Sequence, residues 1–175
     1  MRVRPARPQD LKACAALDHS YTTDRVWQVE VREENGVLTS TFRLASLPRE
    51  IRVDYPRCDE ELVAGWKRRD GFLVVEEGDV CGYVGLTGQA EHGIAWVGDL
   101  VVDRAWRRRG AGTLLLRAAA QWGRDQGFGR LVVELPTKDY PAIRFCQSRG
   151  LTFCGYSDHY WPSQDIALFF GESLR

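Results

Sequence analysis

The chain has no surplus of either charge, with 24 Lys and Arg set against 24 Asp and Glu. Without a basic excess nothing in the composition favours nucleic acid as a partner, and without an acidic excess there is no solvating tail. No apolar run is long enough to span a membrane. Met1-Arg2-Val3-Arg4-Pro5 lacks the apolar stretch of a secretory leader, so a soluble, cytoplasmic protein with no membrane partner is expected. Cysteine pairs are missing too: the five thiols (Cys14, Cys58, Cys81, Cys146, Cys154) are odd in number and widely spaced, with no C-x-x-C and no His at ligand spacing. Disulfides and a metal site are therefore not expected, and most of these thiols read as small core residues. Internal repeats, low-complexity tracts and linkers are absent from the sequence, so a single domain over residues 1–175 is expected.

What is present is a dense alternation of strand and helix signals. Residues 1–6 read as a strand, and Pro8-Gln9-Asp10 opens an amphipathic helix carrying Leu11, Cys14, Ala15 and Leu17. From 26 to 47 the period falls to two around an Asn35-Gly36 turn, predicting a hairpin with 37–44 as its return arm. Residues 51–55 form a separate extended piece closed by Pro56. Asp59 caps a helix over 60–69 with Leu62, Val63 and Trp66 on its apolar face. Runs at 72–76, 80–87 and 94–102 are divided by glycine turns, which predicts an antiparallel meander. A long helix follows Gly110 to about Gln126, with Leu114, Leu115, Ala118, Ala119 and Trp122 at core spacing. The near-continuous apolar run 131–135 reads as a strand buried on both faces and reached by a parallel crossover. A helix over 140–149 and closing strands at 152–160 and 164–170 complete the chain.

The strongest chemical signal is Arg107-Arg108-Arg109-Gly110-Ala111-Gly112-Thr113, where a strand runs through a turn directly into a helix. That places consecutive main-chain N–H groups at a positive helix end, an arrangement suited to a diphosphate. Gly110 and Gly112 let an anion approach the main chain, Thr113 offers a hydroxyl, and the arginines supply neutralising charge. This use accounts for the basic cluster at residues 104–109.

Together with Asp99-Leu100-Val101-Val102-Asp103 upstream and the downstream segment from Ala142 through Phe145, Cys146 and Arg149 to Leu151, this turn resembles the GNAT acetyltransferase superfamily. Its signature R/Q-x-x-G-x-G/A is met by Arg107, Gly110 and Gly112, and the element order agrees over nearly the whole chain apart from the inserted hairpin at about 21–55. The resemblance implies an α/β GNAT fold, a central mixed but mostly antiparallel sheet flanked by helices, and acetyl-CoA as the cofactor. It also implies that the strand ending at Val102 splays from 131–135, so that the pantetheine arm lies along Leu100, Val101 and Val102. The Leu100 N–H is then the candidate to polarise the thioester carbonyl, and Gly98 suits the bulge that opens the gap.

Two positions depart from the family pattern. Cys146 stands where members commonly carry a Tyr that protonates the departing thiolate; a thiol of ordinary pKa, near 8.5, suits that task, and the alternative is a silent space-filler. Asp139 replaces the usual cofactor-binding Asn, with Tyr140 beside it as a substitute donor. An alkylammonium acceptor must lose a proton before it attacks, and Asp99, Glu134 and Glu91 are the candidate bases, Asp99 being preferred for its place on the strand beside the thioester; the alternative is that Asp99 orders a loop and Glu134 is a satisfied core carboxylate. His92 and His159 are solitary and read as surface residues.

For the acceptor, a small-molecule amine, the hairpin supplies Tyr21, Trp27, Phe42 and Tyr55 with Asp24, Glu30, Glu33 and Glu34, a set able to hold a cation by carboxylates and ring faces next to Asp99. The alternative is that these residues pack on the sheet or on a second subunit of a homodimer. Residues 21–28, 29–34 and Asp165-Ile166-Ala167-Leu168-Phe169-Phe170 are similar, more loosely, to streptothricin acetyltransferases, which implies acetylation of a lysine-like amine on a cationic antibiotic. Polyamine, amino-sugar or protein N-terminal acetylation, and a CoA-binding sensor without turnover, are the other readings.

Overall fold

Glycine turns cut the middle of the chain into short strands that can only fold back on one another. In the computed structural model, which describes residues 1–54 and 59–175, β4 (Gly71–Glu77), β5 (Asp79–Gln89) and β6 (Ile94–Val102) form the expected meander. Gly78 (φ 81°) and Gly93 (φ 64°) sit at its corners in the left-handed region that glycine tolerates. β1 (Arg2–Pro5) adds to β4, and α1 (Asp10–Ala15) and α2 (Asp59–Trp66) cover one face. α3 (Ala111–Asp125) then crosses over to β7 (Arg130–Pro136), which pairs parallel to β6. After α4 (Tyr140–Ser148), β8 (Thr152–Ser157) and β9 (Ala167–Ser173) close a seven-stranded sheet of order β1-β4-β5-β6-β7-β9-β8. The expected wall residue Tyr55, the strand stop Pro56 and Cys58 lie outside the described residues, as do the side chains of Asp59 and Val63.

Alternation along the strands builds two cores. Val75, Val84, Leu86, Ala95, Val97, Leu131, Val133 and Phe170 meet α3 and α4, whereas Phe72, Val74, Tyr83 and Val101 meet Cys14 of α1 and Leu62 of α2. Leu115 and Leu131 are fully buried, each contributing about 1.5–3 kcal/mol. The buried face of α3 is rolled from the expected one: Leu116, Ala120 and Gly123 are buried, while Leu114, Ala118 and Trp122 lie on its flank. Gly123 explains the roll, because a Cβ there would stand 2.6 Å from Leu174 Cδ1 and 3.0 Å from Ala95 Cβ, so the helix approaches by its smallest residues.

The hairpin is longer than its alternation suggests. β2 (Tyr21–Glu34) and β3 (Val37–Val53) form a two-stranded sheet around Asn35 (φ 51°) and Gly36 (φ 76°), and residues 51–53 belong to β3 rather than to a separate piece. Pro48 does not end the strand, because Thr23 pairs with Ile51 and Arg25 with Ser46, leaving 47–50 as a bulge opposite Asp24 where a proline costs no ladder bond. The hairpin packs on its own domain: Trp27, Val29 and Phe42 join the larger core, and Phe42 lies 4.7 Å from Phe153 and 5.2 Å from Tyr156 by ring centroids. β8 stops three residues short of its expected end and β9 begins and ends three residues later than expected, and the connection 158–166 carries Tyr160 back over the sheet. Among the described residues no helix is long and apolar enough to cross a membrane.

Candidate active site

The central opening follows from where one ladder stops. β6 and β7 are in register from Ile94–Arg130 to Val97–Val133 and no further. Asp99 pairs with Gly85 and Val97 with Leu86, so Gly98 is an extra residue that bends β6 at that level. Beyond it β6 follows β5 to Gly82–Val102, while β7 follows β9 to Pro136–Ala167. The two strands part as a wedge bounded by residues 98–102 and 134–136, and the N-terminus of α3 stands at the end of β6.

That terminus carries no group that would repel an anion. Gly110 (φ 93°) is its cap residue and provides no side-chain acceptor, and no acidic residue lies in the first turn. Among the described residues no side chain caps the first N–H groups of this 15-residue helix, and Arg108 (φ 64°) and Arg109 are exposed beside them. Gly112 lies under Phe145 of α4, where a Cβ would be 3.4 Å from the ring and 3.8 Å from Val102 Cγ2. The two separate sequence motifs, around Gly110–Thr113 and Phe145, therefore meet. Arg107 plays a different part from its neighbours: its Nε donates to Val102 O (3.0 Å) and its Nη2 to Asp18 O (3.1 Å), and burial lowers its pKa. It ties the end of β6 to the α1–β2 connection, leaving the exposed charge to Arg108 and Arg109. Arg149 is exposed at the C-terminus of α4, its Nε 3.4 Å from Ser148 Oγ.

Asp139 caps α4 by accepting from the Ala142 N–H (3.0 Å). Burial pushes its pKa up to about 6, opposed by the Ala142 bond and the positive charge of Arg107. The Tyr140 ring lies against the Arg25 guanidinium of the hairpin, which is 5.5 Å from its centroid. Cys146 is fully buried among the core residues of α3 and α4, and that burial pushes its pKa up to about 12.

Opposite the α3 side, alternation places Tyr83, Thr87, Trp96, Asp99, Glu134 and Phe169 on one face of the sheet. Glu134 Oε2 accepts from Trp96 Nε1 (2.5 Å) and from Tyr160 OH (2.6 Å). Phe169 packs edge-on to Trp96 and Tyr160 at 5.1 and 5.6 Å. Asp99 is buried, and its Oδ2 accepts from Arg69 Nη2 at 2.5 Å. Arg69, Trp96, Tyr160 and Phe169 are not among the site residues that the sequence offers. Counting by two from Asp99 and Glu134, with the bulge allowed for, recovers Trp96, and strand pairing recovers Phe169; no local signal marks Arg69 or Tyr160.

The hairpin residues do not converge. Asp24 and Glu30 are exposed and six positions apart on one extended strand, about 20 Å, so one ammonium cannot touch both. Glu30 instead pairs with Arg32 (2.6 Å) and Asp24 weakly with Arg25 (3.9 Å). Tyr21 is buried, its phenol pKa raised by burial and by the charges of Asp139 and Asp165. Trp27 Nε1 is buried without a hydrogen-bond partner among the described residues, Glu33 and Glu34 are exposed at the end of β2, and Glu91 is exposed in the β5–β6 connection. A surface hollow of about 420 Å³ between Arg4, Asp10, Leu17 and Glu76 lies at the β1–β4 edge, apart from these residues, and its charged walls are closed on each other by Arg4.

The architecture has solved counterparts. The crystal structure of nourseothricin acetyltransferase superposes with a TM-score of 0.84 at 25% identity, covering 99% of this chain and 98% of that one. A candidate streptothricin acetyltransferase from Bacillus anthracis, solved in complex with acetyl coenzyme A, shares the fold at a TM-score of 0.74 and 15% identity, with 98% of both chains covered. In sequence, the chain is 31% identical over 154 residues to streptothricin acetyltransferase of Streptomyces lavendulae, spanning 87% of this chain and 82% of the relative. Residues 38–151 match the Acetyltransferase (GNAT) family. On that match and that relative, the chain belongs to the GNAT acetyltransferase family and is an acetyl-CoA-dependent N-acetyltransferase.

Proposed function

We propose that the chain transfers an acetyl group to a primary amine of a cationic antibiotic of the streptothricin class, by direct attack within a ternary complex. The observation that carries this reading is the 31% identity to a streptothricin acetyltransferase over most of both chains. The α3 N-terminus with Arg108 and Arg109 would hold the diphosphate, and Leu100, Val101 and Val102 along the wedge would hold the pantetheine arm, with Phe145 bracing Gly112 beneath it. Bound there, acetyl-CoA supplies an acetyl thioester. The Leu100 N–H would orient the thioester oxygen and stabilise charge that develops on it.

On the opposite face, Glu134 with Trp96, Tyr160 and Phe169 combines a carboxylate with ring faces, the chemistry that receives an alkylammonium. Glu134 would take one proton from that ammonium, directly or through water, so that the neutral nitrogen forms the new C–N bond as the C–S bond breaks; the second proton, shed by the acylated nitrogen, passes to solvent, from which the released thiolate is protonated. Asp99, engaged by Arg69, is assigned to support rather than proton transfer. Cys146 fills space: a thiol whose pKa is about 12 would give its proton to a leaving thiolate only uphill, so the thiolate departs unaided.

A thiol-release screen tests the reading. Streptothricin and nourseothricin should release free CoA and gain one acetyl group by mass spectrometry, at kcat/KM at least tenfold above polyamines, aminoglycosides and peptide N-termini. Preference for any of the latter overturns the substrate assignment.

A further inference from the structure

Gly98 makes the bulge on which the wedge depends, yet its own backbone does not demand glycine, since its φ lies outside the left-handed region. A neighbour excludes the side chain. A Cβ at this position would stand 2.4 Å from Arg69 Nη1, 2.7 Å from Nη2 and 2.9 Å from Cζ. Gly85, paired across the ladder with Asp99, is overlaid as well, with a Cβ 3.1 Å from Asp99 Oδ2 and 3.3 Å from Arg69 Nε. One guanidinium thus lies across two glycines, with Nη2 on Asp99 (2.5 Å) and Nη1 on Thr87 Oγ1 (3.2 Å). The side chains of Arg69 and Asp99 are only 13% and 3% exposed, so the pair is set into the sheet and not laid on its surface.

The backbone around Arg69 is anchored as firmly. Its N–H donates to Trp66 O (3.2 Å), closing the end of α2, and the next residue, Asp70, donates its N–H to Leu86 O (3.0 Å) while its Oδ2 accepts from the Gly88 N–H (2.7 Å). The guanidinium is therefore delivered from a stretch of backbone pinned to β5 through Asp70 to the one residue by which β6 exceeds β5. A bulge held only by its own ladder is free to relax toward regular pairing; one carrying a planar cation wedged against its main chain is not.

We propose that Arg69 is a positioning residue: with Asp99 and Thr87 as its anchors, it holds the Gly98 bulge and so sets the divergence of β6 from β7 that admits acetyl-CoA. The proposal rests on the cofactor site described above, and its test separates the two. Acetyl-CoA affinity is measured by calorimetry on the unreacted protein, with Gly110→Val as the control for the cofactor site. Arg69→Ala and Gly98→Ala should each weaken binding at least tenfold, and Arg69→Ala/Gly98→Ala should bind no worse than Arg69→Ala alone, because the clash that makes Gly98→Ala harmful has been removed. Millimolar ethylguanidinium should restore part of the affinity of Arg69→Ala. Amide hydrogen exchange at Leu100 and Val102, read without cofactor, should rise in Arg69→Ala, and Arg69→Met, which keeps the apolar stem, guards against simple misfolding. Asp99→Asn should lower kcat to a similar degree at every pH, as loss of an anchor does, without moving the pH profile. Unchanged affinity in Arg69→Ala while Gly110→Val loses it, or strictly additive losses in the double variant, overturns the positioning role alone. Full affinity in all of these variants overturns the cofactor site and the proposal together.

Discussion

Asp139→Asn should stabilise the protein above pH 6 and make little difference near pH 4. In the fold the Asp139 carboxyl has its pKa pushed from 3.8 to about 6, chiefly because it is removed from water at the start of α4. The folded state therefore holds the proton more tightly than the unfolded chain. The favourable contribution of the neutral form is complete below about pH 4 and is lost as the pH rises through 6. A shift of about two units corresponds to about 3 kcal/mol at about 1.4 kcal/mol per unit. Because Asp139 keeps some contact with solvent, about 1–2 kcal/mol is the expected gain at pH 8. Asparagine keeps the capping bond to the Ala142 N–H, so the substitution removes the charge without removing the cap. Urea unfolding of both proteins at pH 4.5, 6 and 8 isolates this group, since every other titration cancels in the difference. A gap that stays constant with pH, or that widens on acidification, would refute the assignment of a destabilised buried carboxylate.

Glu134→Gln should reduce kcat/KM for an ammonium acceptor by about 10² or more while leaving acetyl-CoA affinity within twofold, because a general base of this kind contributes about 10²–10⁴. A normal rate would return proton transfer to Asp99, Glu91 or water. Cys146→Ala should cost about 1 kcal/mol of stability by opening a small cavity in the core, with the shape of the kcat pH profile preserved. Loss of the profile's basic limb in that variant would instead make the thiol the acid.

The parts of this molecule that were legible in its sequence are those encoded locally. The passage from strand to Gly110 to helix is a matter of consecutive residues, as is the apolar run at 131–135 that marks a buried strand. Gly98 was readable as a bulge, but its reason was not: the cation that excludes its side chain comes from 29 positions earlier in the chain. Tyr160 reaches Glu134 across 26 positions through a connection with no periodic pattern. The sequence offers all three arginines of the turn as neutralising charge, and only the nearby carbonyls of Val102 and Asp18 show that Arg107 is spent within the chain. The acidic and aromatic composition of the hairpin suggested a cation pocket because composition is blind to distance; an extended strand spreads those residues apart. Burial likewise decides Cys146, since the chemistry of a thiol names no role until its surroundings are known.

The central claim is that main-chain N–H groups at the start of α3 clasp the diphosphate of acetyl-CoA while the gap between β6 and β7 takes the rest of the cofactor. A crystal structure of the protein grown with CoA tests it directly. Diphosphate oxygens within hydrogen-bonding distance of the N–H groups around Gly110 to Thr113, with the pantetheine arm alongside Leu100 to Val102, is the predicted result. A CoA molecule bound with that helix end untouched would contradict the account.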